Sequence, residues 1–251
     1  MKLSLDNKVA IVTGSAGGIG QAYAEAIAAA GASVVVADLN LEGAKAVALG
    51  ITTAGGKAIA LSVDVADSAS TAAMVEAAEE AFGGVDLLVN NAAIFGNMEL
   101  DLLISVPEDY LTRFLNVNML GALHCSRAVY RSMRKRGGGS IVNQSSAAAY
   151  LYAGFYGLAK AGVNSITIQL AHELGGMNIR VNAIAPGPIG TEAAHGVVPQ
   201  VFLDEIISKL ALKREGKVED LTGICLYLLS DQASWVTGQI FNVDGGQIIR
   251  P

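Results

Sequence analysis

The sequence predicts an α/β fold, a doubly wound and mainly parallel sheet of seven strands with helices on both faces. Short runs rich in β-branched residues alternate with longer, alanine-rich segments of helical period. Most intervals between the runs are long enough for a helix, and a helix usually joins two parallel neighbours in a sheet. The predicted strands span residues 9–12, 33–37, 58–63, 87–89, 140–143, 179–185 and 240–243.

A glycine-rich turn follows the first predicted strand. The turn covers residues 13–20 (TGSAGGIG), and a helical pattern over 21–30 follows it and stops at Gly31. Glycines here let the backbone approach a pyrophosphate, and the helix N-terminus offers unpaired N–H groups and a favourable dipole. A strand before the turn and a helix after it are the context that a dinucleotide site requires.

The second predicted strand is followed by an acid, Asp38, 18 residues beyond Gly20. A carboxylate at this point of a dinucleotide-binding unit accepts hydrogen bonds from the adenosine ribose. It would repel a 2′-phosphate, and no Arg or Lys occurs in the turn or immediately after Asp38 to compensate. The sequence therefore predicts NAD rather than NADP as the cofactor. The alternative is that Asp38 only caps the helix that begins near Leu41.

Tyr156 and Lys160 are four residues apart, a spacing that places both on one face of a helix. A phenol is a poor base at neutral pH, but a fixed cation nearby favours its phenolate and lowers its pKa. The pair can therefore form a proton-transfer centre. Taken alone, the same spacing also arises by chance on helix surfaces.

Further motifs follow in order along the chain. They are residues 90–93 (NNAA), Asn118, the pair Ser145-Ser146, Tyr156 with Lys160, and residues 186–191 (PGPIGT). Together with the glycine-rich turn, this order closely resembles the short-chain dehydrogenase/reductase family over residues 5–246. The length of 251 residues resembles the compact branch of that family. The resemblance implies a Rossmann fold and an oxidoreductase activity.

The resemblance also implies the roles of four catalytic residues. Tyr156 would be the general acid/base, and Lys160 would lower its pKa and hold the nicotinamide ribose. Ser146 would orient the substrate oxygen, with Ser145 as the alternative. Asn118 would hold a water that links Lys160 to solvent.

The cofactor contacts implied by the resemblance extend over most of the motifs. For Asp64, a turn into the helix near Ser68 is about as good an interpretation as adenine binding. For Asn91 the functional interpretation is favoured, because strand ends face the crevice and buried amides need partners. The predicted cofactor-binding residues are Gly14, Ser15, Gly18, Ile19, Gly20, Asp38, Leu39, Asp64, Val65, Asn91, Ala92, Ala93, Tyr156, Lys160, Pro186, Gly187, Ile189 and Thr191.

Two features depart from the family pattern. Ala93 stands where the family's Asn-Asn-Ala-Gly motif ends in glycine, and its methyl group could crowd the cofactor. Ser146 precedes Tyr156 by only ten residues, a shorter separation than is common in the family. The short separation affects the choice between Ser145 and Ser146, and it shortens a loop beside the substrate.

That loop, residues 147–155, is apolar and aromatic. With Ile94, Phe95 and residues 195–203 it predicts a pocket for a hydrophobic or aromatic substrate, although core or subunit packing is an equally good interpretation. Residues 192–212 are placed where a lid would lie. The resemblance implies a homo-oligomer, most often a tetramer, with a dimer also possible.

Composition and charge exclude other classes of function. A formal net charge of −6 gives no broad attraction to nucleic acid or to a membrane surface. The basic cluster within 131–136 precedes three glycines and suits a helix C-terminus. The uncharged stretch 137–159 contains glycines and polar residues, so it is not a membrane span. The first residues lack the apolar run of a signal peptide, so we expect a cytoplasmic protein.

No metal site is expected from the sequence. Cys125 and Cys225 are isolated and are predicted to be buried thiols, and the three histidines are not at ligand spacing. His124 and His172 fall in helical patterns and are interpreted as structural, whereas His195 is a surface group or, less often, a substrate contact.

These observations predict one domain over residues 1–251, because no linker interrupts the alternation of strands and helices. The predicted function is an NAD(H)-dependent oxidoreductase that interconverts a secondary alcohol and a ketone. One alternative is a 3-oxoacyl-thioester reductase, which would typically use NADPH. Another is a non-catalytic NAD(H)-binding module, against which the intact set Asn118, Ser146, Tyr156 and Lys160 argues.

Overall fold

Seven parallel strands form one sheet in the computed structural model, which describes residues 3–96, 98 and 102–249. The sheet order is β3-β2-β1-β4-β5-β6-β7, and every neighbouring pair is parallel. The expectation that the chain has no signal peptide concerns its first residues, and of these residues 1 and 2 lie outside the described ranges. The strands are β1 (Val9–Thr13), β2 (Ser33–Asp38), β3 (Lys57–Ser62), β4 (Leu87–Asn90), β5 (Gly139–Gln144), β6 (Ile179–Pro186) and β7 (Ile240–Val243).

The predicted doubly wound fold is confirmed, and each predicted strand agrees with the structure to within one residue at either end. The agreement has a physical reason. A parallel sheet is covered on both faces, so its strands are continuous apolar runs that are recognisable in the sequence. Every residue of β1 and β4 is buried.

Helices cover both faces of the sheet. The side chains of β2 alternate between the two layers, because Val34 and Val36 pack with α1, α2 and α9, while Val35 packs with α3, α5 and α6. The helices are α1 (Gly18–Ala29), α2 (Leu41–Thr53), α3 (Ser68–Phe82), α4 (Glu108–Leu115), α5 (Gly121–Lys135), α6 (Gly154–Leu174), α7 (Glu192–Val197), α8 (Gln200–Lys209) and α9 (Glu219–Leu229).

The strand order reverses between β1 and β4, and this reversal opens a crevice at their carboxyl ends. The two strand ends are joined there by side chains. The Thr13 hydroxyl accepts the backbone N–H groups of Asn91 and Ala92, each at 3.1 Å. The glycine-rich turn after β1 and the segment after β4 therefore form one wall of the crevice.

At the amino ends of the central strands, a buried carboxylate, Asp86, joins β1 to the end of α5. One of its oxygens accepts the backbone N–H of Val9 at 2.8 Å, and the other is 2.8 Å from Nε of Arg136. Helix α5 ends at Lys135 with Arg136 as its C-cap, so the predicted charged helix end is confirmed. The partner of Arg136 lies 50 residues away and was not predicted.

The two cysteines lie inside the helix layers, as the sequence predicts. Cys125 and Cys225 are both buried, and burial raises the pKa of each thiol. In the described part of the chain, no helix combines the length and the apolar character that crossing a bilayer requires.

Replacing Asp86 should destabilise the fold. Asp86→Ala removes the partner of the Val9 N–H and of the Arg136 guanidinium, so we expect the free energy of unfolding to fall by about 2–4 kcal/mol. Urea unfolding followed by circular dichroism measures this change. Glu42→Gln is the control, because Glu42 and Lys45 form an exposed ion pair whose loss should have a far smaller effect. Equal effects of the two variants would contradict the assigned role of Asp86.

Candidate active site

The glycine-rich turn is closely packed against its surroundings. Gly14 has a φ of +63°, and a Cβ there would lie 2.6 Å from Cα of Ala92. A Cβ on Gly20 would meet the carbonyl oxygen of Gly14. Neither position accepts a side chain, so the first turn of α1 lies directly against the strand end.

The side chain of Asn91 stabilises this turn through hydrogen bonds to its backbone. Its Nδ2 donates to the carbonyl oxygens of Gly14 at 2.8 Å and Thr13 at 3.1 Å. Ser15 is buried and its hydroxyl donates to Val12 at 2.7 Å, so its side chain also stabilises the turn. A direct contact of Asn91 or Ser15 with a cofactor stays a prediction.

The Asp38 carboxylate lies beside the glycine-rich turn. It accepts the backbone N–H of Ala16 at 2.9 Å and that of Asn40 at 2.8 Å. The cap of α2 is Asn40, whose side chain accepts from Gly43. The alternative in which Asp38 caps this helix is therefore wrong. Leu39, next to it, is exposed.

Asp64 forms the turn into α3, as one of its two interpretations expected. Its carboxylate accepts the N–H of Ala66 at 2.9 Å, while Asp67 is the N-cap of the helix. Val65 is buried, and its carbonyl oxygen lies 3.0 Å from Nδ1 of His124, which agrees with a structural role for that histidine. Adenine binding by Asp64 and Val65 stays a prediction.

The segment after β6 forms the wall of the crevice opposite the glycine-rich turn. Pro186 ends the strand, Gly187 donates to Val243 at 3.1 Å, and Ile189 is buried. Thr191 is the N-cap of α7, and its methyl group would lie 3.8 Å from a Cβ on Gly18.

Tyr156 and Lys160 lie on α6, and their predicted helical spacing is confirmed. Lys160 is only 3% exposed, and its ammonium donates to the carbonyl oxygen of Gln144 at 2.8 Å. The Lys160 nitrogen is 5.8 Å from the centroid of the Tyr156 ring. The tyrosine is half-buried at the surface of the crevice.

The structure corrects the expected pKa of Tyr156. Burial raises the pKa of the tyrosine to about 12, and the hydrogen bond with Ser146 offsets only part of that rise. Burial also lowers the pKa of the Lys160 ammonium to about 8. Desolvation opposes both charged forms, and it sets the direction of both pKa shifts.

The choice between Ser145 and Ser146 is decided by their partners. Ser145 is buried and its hydroxyl donates to Oδ1 of Asn164 at 2.6 Å. Ser146 is half-buried, accepts the N–H of Ala148 at 3.1 Å and bonds with Tyr156. Ser146 is therefore the serine beside the tyrosine, and Ser145 supports α6 from the end of β5.

Asn118 lies in a π-helical turn, Asn116–Leu120, between α4 and α5. Its Oδ1 accepts the N–H of Ile94 at 2.7 Å, and its Nδ2 donates to the carbonyl oxygen of Ile94 at 2.9 Å. Both ends of the amide thus hold the segment after β4. The predicted water contact of Asn118 is not tested by these bonds.

The apolar loop divides between core and surface. Phe155 is buried against Phe114, with 4.7 Å between ring centroids, so core packing is the better interpretation for it. Tyr152 is 91% exposed, and Leu151 is also exposed. Phe95 packs against the Tyr156 ring at 5.4 Å. Phe95 and the exposed pair remain available to line a pocket. Ala93 is exposed, and crowding of a cofactor by its methyl group stays a prediction.

The predicted lid region contains α7 and α8. Nε2 of His195 lies 3.1 Å from Oε1 of Glu215, within hydrogen-bond distance, so the histidine has a partner within the protein. Glu215 was missed by the sequence analysis, because nothing in the chain shows that residues 20 apart would meet here. Ile189 and Gly216 form a parallel bridge next to this pair.

Gln144 is a second residue that the sequence analysis missed. Its backbone carbonyl binds Lys160, and its side-chain oxygen accepts the buried Tyr23 hydroxyl at 2.9 Å. A polar residue at the end of an otherwise apolar strand was the available signal, shared by Thr13 and Asn90.

Comparisons with known proteins agree with this geometry. A family model described as enoyl-(acyl carrier protein) reductase matches residues 14–247. The chain belongs to the short-chain dehydrogenase/reductase family. As a member of that family it is an oxidoreductase, and the predicted resemblance is confirmed.

Several relatives within the short-chain dehydrogenase/reductase family match almost the whole chain. An uncharacterized oxidoreductase of Mycobacterium tuberculosis H37Rv is 64% identical, over 98% of this chain and 99% of the relative. The 3-oxoacyl-[acyl-carrier-protein] reductase FabG of Thermotoga maritima is 36% identical, over 98% and 100%. A solved 7α-hydroxysteroid dehydrogenase, complexed with NADH and 7-oxo glycochenodeoxycholic acid, is 36% identical with a TM-score of 0.93, over 99% and 98%.

The buried lysine of this short-chain dehydrogenase/reductase should make stability depend on pH. The pKa of Lys160 is about 8 when folded and about 10.4 when unfolded, so between these values the unfolded state binds more protons and stability rises with pH. Lys160→Met lacks this dependence. Its free energy of unfolding relative to the unaltered protein should therefore fall by about 3 kcal/mol between pH 7 and pH 10.5.

Urea unfolding at a series of pH values measures this difference. Lys209→Met is the control, because Lys209 on α8 is exposed and its ion pair with Glu205 lies at the surface. The difference for that variant should stay nearly constant. A constant difference for Lys160→Met as well would show that burial does not disfavour its charge.

Proposed function

We propose that the chain is one domain that acts as an NAD(H)-dependent oxidoreductase, interconverting a secondary alcohol and a ketone. The observation that carries the proposal is the convergence of Ser146, Tyr156 and Lys160 beside the glycine-rich turn. Ser146 bonds with the tyrosine hydroxyl, and the lysine nitrogen is 5.8 Å from the tyrosine ring. A non-catalytic module would have no need of this arrangement.

The crevice residues fit a dinucleotide. A turn without side chains at Gly14 and Gly20 and the open N-terminus of α1 suit a pyrophosphate. Asp38 uses one N–H contact on each carboxylate oxygen, so each retains a lone pair for a ribose hydroxyl. This carboxylate, with no Arg or Lys beside it, favours NAD over NADP. The related hydroxysteroid dehydrogenase was solved with NADH.

Each catalytic residue has a distinct part in the proposed reaction. In the reduction, the carbonyl carbon would receive a hydride, which is the chemistry that NADH would supply when bound. Tyr156 donates its proton to the carbonyl oxygen, because a phenol with a raised pKa stays protonated at neutral pH. Ser146 donates a hydrogen bond that orients that oxygen. In the oxidation direction Tyr156 accepts the alcohol proton, and the Lys160 ammonium stabilises the phenolate before it is protonated.

We propose a hydrophobic substrate, either alicyclic or aromatic. Phe95 flanks the Tyr156 ring, and the exposed Leu151 and Tyr152 lie in the loop between Ser146 and Tyr156. Apolar walls with a few convergent polar groups are typical of small-molecule sites. The 7-oxo glycochenodeoxycholic acid in the related structure is a substrate-sized ligand of this kind.

A 3-oxoacyl-thioester reductase is the second candidate. The match to the Thermotoga reductase and the description of the family model favour it, whereas Asp38 disfavours the NADPH that such enzymes typically use. A panel of aliphatic, alicyclic, aryl and acyl-thioester compounds, assayed with both cofactors in both directions, separates the two candidates. If the protein binds NADH but no compound of the panel changes the absorbance of the nicotinamide, the non-catalytic alternative is favoured.

We also propose that the protein is a homo-oligomer, with a tetramer favoured over a dimer. Leu158 and Ile168 are large apolar residues on the exposed side of α6, and Trp235 is 98% exposed. Apolar groups on a surface are typical of contacts between subunits. Light scattering coupled to size-exclusion chromatography measures the state directly.

Tyr156→Phe should lower turnover by at least about 100-fold, because it removes the proton that the substrate oxygen needs. Binding of NADH, measured by fluorescence titration, should persist. Tyr227→Phe on α9 is the matched control, since it removes a tyrosine hydroxyl from the helix layer on the other face of the sheet. Ordinary turnover by Tyr156→Phe would show that another group supplies the proton.

Asp38→Ala should reduce the preference for NADH over NADPH by about 10-fold or more, because the carboxylate that repels the 2′-phosphate is gone. Dissociation constants of both cofactors measure the preference. Asn40→Ala is the control, because it removes the cap of α2 and leaves the carboxylate in place. Tighter binding of NADPH than NADH by the unaltered protein would refute the role of Asp38.

A further inference from the structure

A small cavity lies beside Lys160, at the carboxyl ends of β1, β4 and β5. Its volume is about 10 Å³, close to the minimum for one water molecule. Side chains that can form hydrogen bonds make up much of its wall. They are Thr13, Asn90, Asn118, Gln144 and Lys160.

Asn90 brings an unpaired polar atom to this wall. The residue is only 6% exposed, and its Oδ1 has no hydrogen-bond partner among the described residues. Its Nδ2, in contrast, donates to Oδ1 of Asn143 at 2.8 Å and to the carbonyl oxygen of Ala122 at 3.1 Å. Buried polar atoms without a partner are uncommon, and a bound water is one of the explanations for them.

The orientation of the Asn90 amide is set by its neighbours. Asn143 uses its own Nδ2 to donate to Thr167 at 2.9 Å, so its Oδ1 must accept from Asn90. Exchanging the two ends of the Asn90 amide would bring two carbonyl oxygens face to face. The unpaired atom is therefore the oxygen, and it is fixed by the network rather than by a choice of amide orientation.

Other polar groups of the cavity wall already have partners. The Thr13 hydroxyl accepts two backbone N–H groups, and the Asn118 amide binds Ile94 at both ends. The Gln144 side-chain oxygen accepts from Tyr23. Lys160 has three N–H donors, of which Gln144 takes one. Asn90, with its unpaired Oδ1, and Lys160, with its remaining donors, are thus both wall residues of the same cavity.

We propose that Asn90 is a positioning residue whose Oδ1 holds one water molecule in this cavity, and that this water accepts an N–H from Lys160. The water would donate one O–H to Asn90 and present a lone pair to the ammonium. It would give the buried charge a second acceptor besides Gln144. Asn90 would therefore act on the proposed proton transfer through Lys160, without touching the substrate.

The structural part of the proposal stands without the proposed function. A crystal structure of the unaltered protein at about 1.5 Å resolution or better should show one water within about 3.2 Å of both Asn90 Oδ1 and Lys160 Nζ. A cavity without density, or a water that contacts only one of the two atoms, would overturn it. This result does not depend on whether the protein turns over any substrate.

The kinetic part rests on the proposed function and is tested with two variants. Asn143→Leu removes the bond between the two asparagines, but the carbonyl of Ala122 still accepts Asn90 Nδ2 and keeps Oδ1 in place, so this variant is the matched control. The double variant Asn90→Leu/Asn143→Leu also removes that oxygen, and replacing both partners by apolar groups avoids a buried unpaired amide. Thermal unfolding of the two proteins identifies any loss of fold.

The measurement is the pH profile of alcohol oxidation with NAD. Without the water, the Lys160 ammonium is less stabilised and supports the phenolate less well, so the half-maximal pH should rise by about one unit in the double variant relative to Asn143→Leu. The rate at pH 7 should fall about 10-fold. Coincident profiles for two folded variants would overturn the role of Asn90, even where the proposed dehydrogenase activity itself is present.

Discussion

The buried ammonium of Lys160 is the constraint on which the site depends. A charged group that is 3% exposed loses most of its hydration, and the protein must replace it. The carbonyl of Gln144 at the end of β5 is one such replacement, at 2.8 Å. Because the acceptor lies on β5 and the lysine lies on α6, the position of the ammonium depends on how this helix packs against the sheet.

Burial at this site also explains why the neighbouring lysine does not lower the pKa of Tyr156 below its ordinary value. Lys160 is buried and Tyr156 is half-buried, and loss of hydration disfavours the phenolate and the ammonium alike. Burial raises the pKa of Tyr156 to about 12, while it lowers that of Lys160 to about 8. The free protein therefore keeps a protonated phenol beside a cation that is still charged at neutral pH. This state is suited to donating a proton to a carbonyl oxygen.

The crevice itself results from strand order. The chain continues from β1 to β2 on one side and from β4 to β5 on the other, and this reversal of direction opens a crevice at the carboxyl ends of the two central strands. Thr13 and Asn91 then tie the two loops together through backbone groups. The residues that the sequence predicts to bind the cofactor therefore fall into two groups according to where they lie. Some, such as Asp38, lie beside the crevice, whereas Ser15 and Asn91 support the turn.

Much of the fold and part of the site followed from the sequence alone. The seven strands were recognisable because strands buried on both faces are continuous apolar runs, and the turn because its glycines occupy positions that no side chain can take. The spacing of Tyr156 and Lys160 was recognisable because helical periodicity is local. Tertiary structure decided the rest, since those contacts join residues far apart in the chain. It placed Ser146 rather than Ser145 beside Tyr156, paired Arg136 with Asp86, and set the pKa values through burial, which only the assembled layers determine.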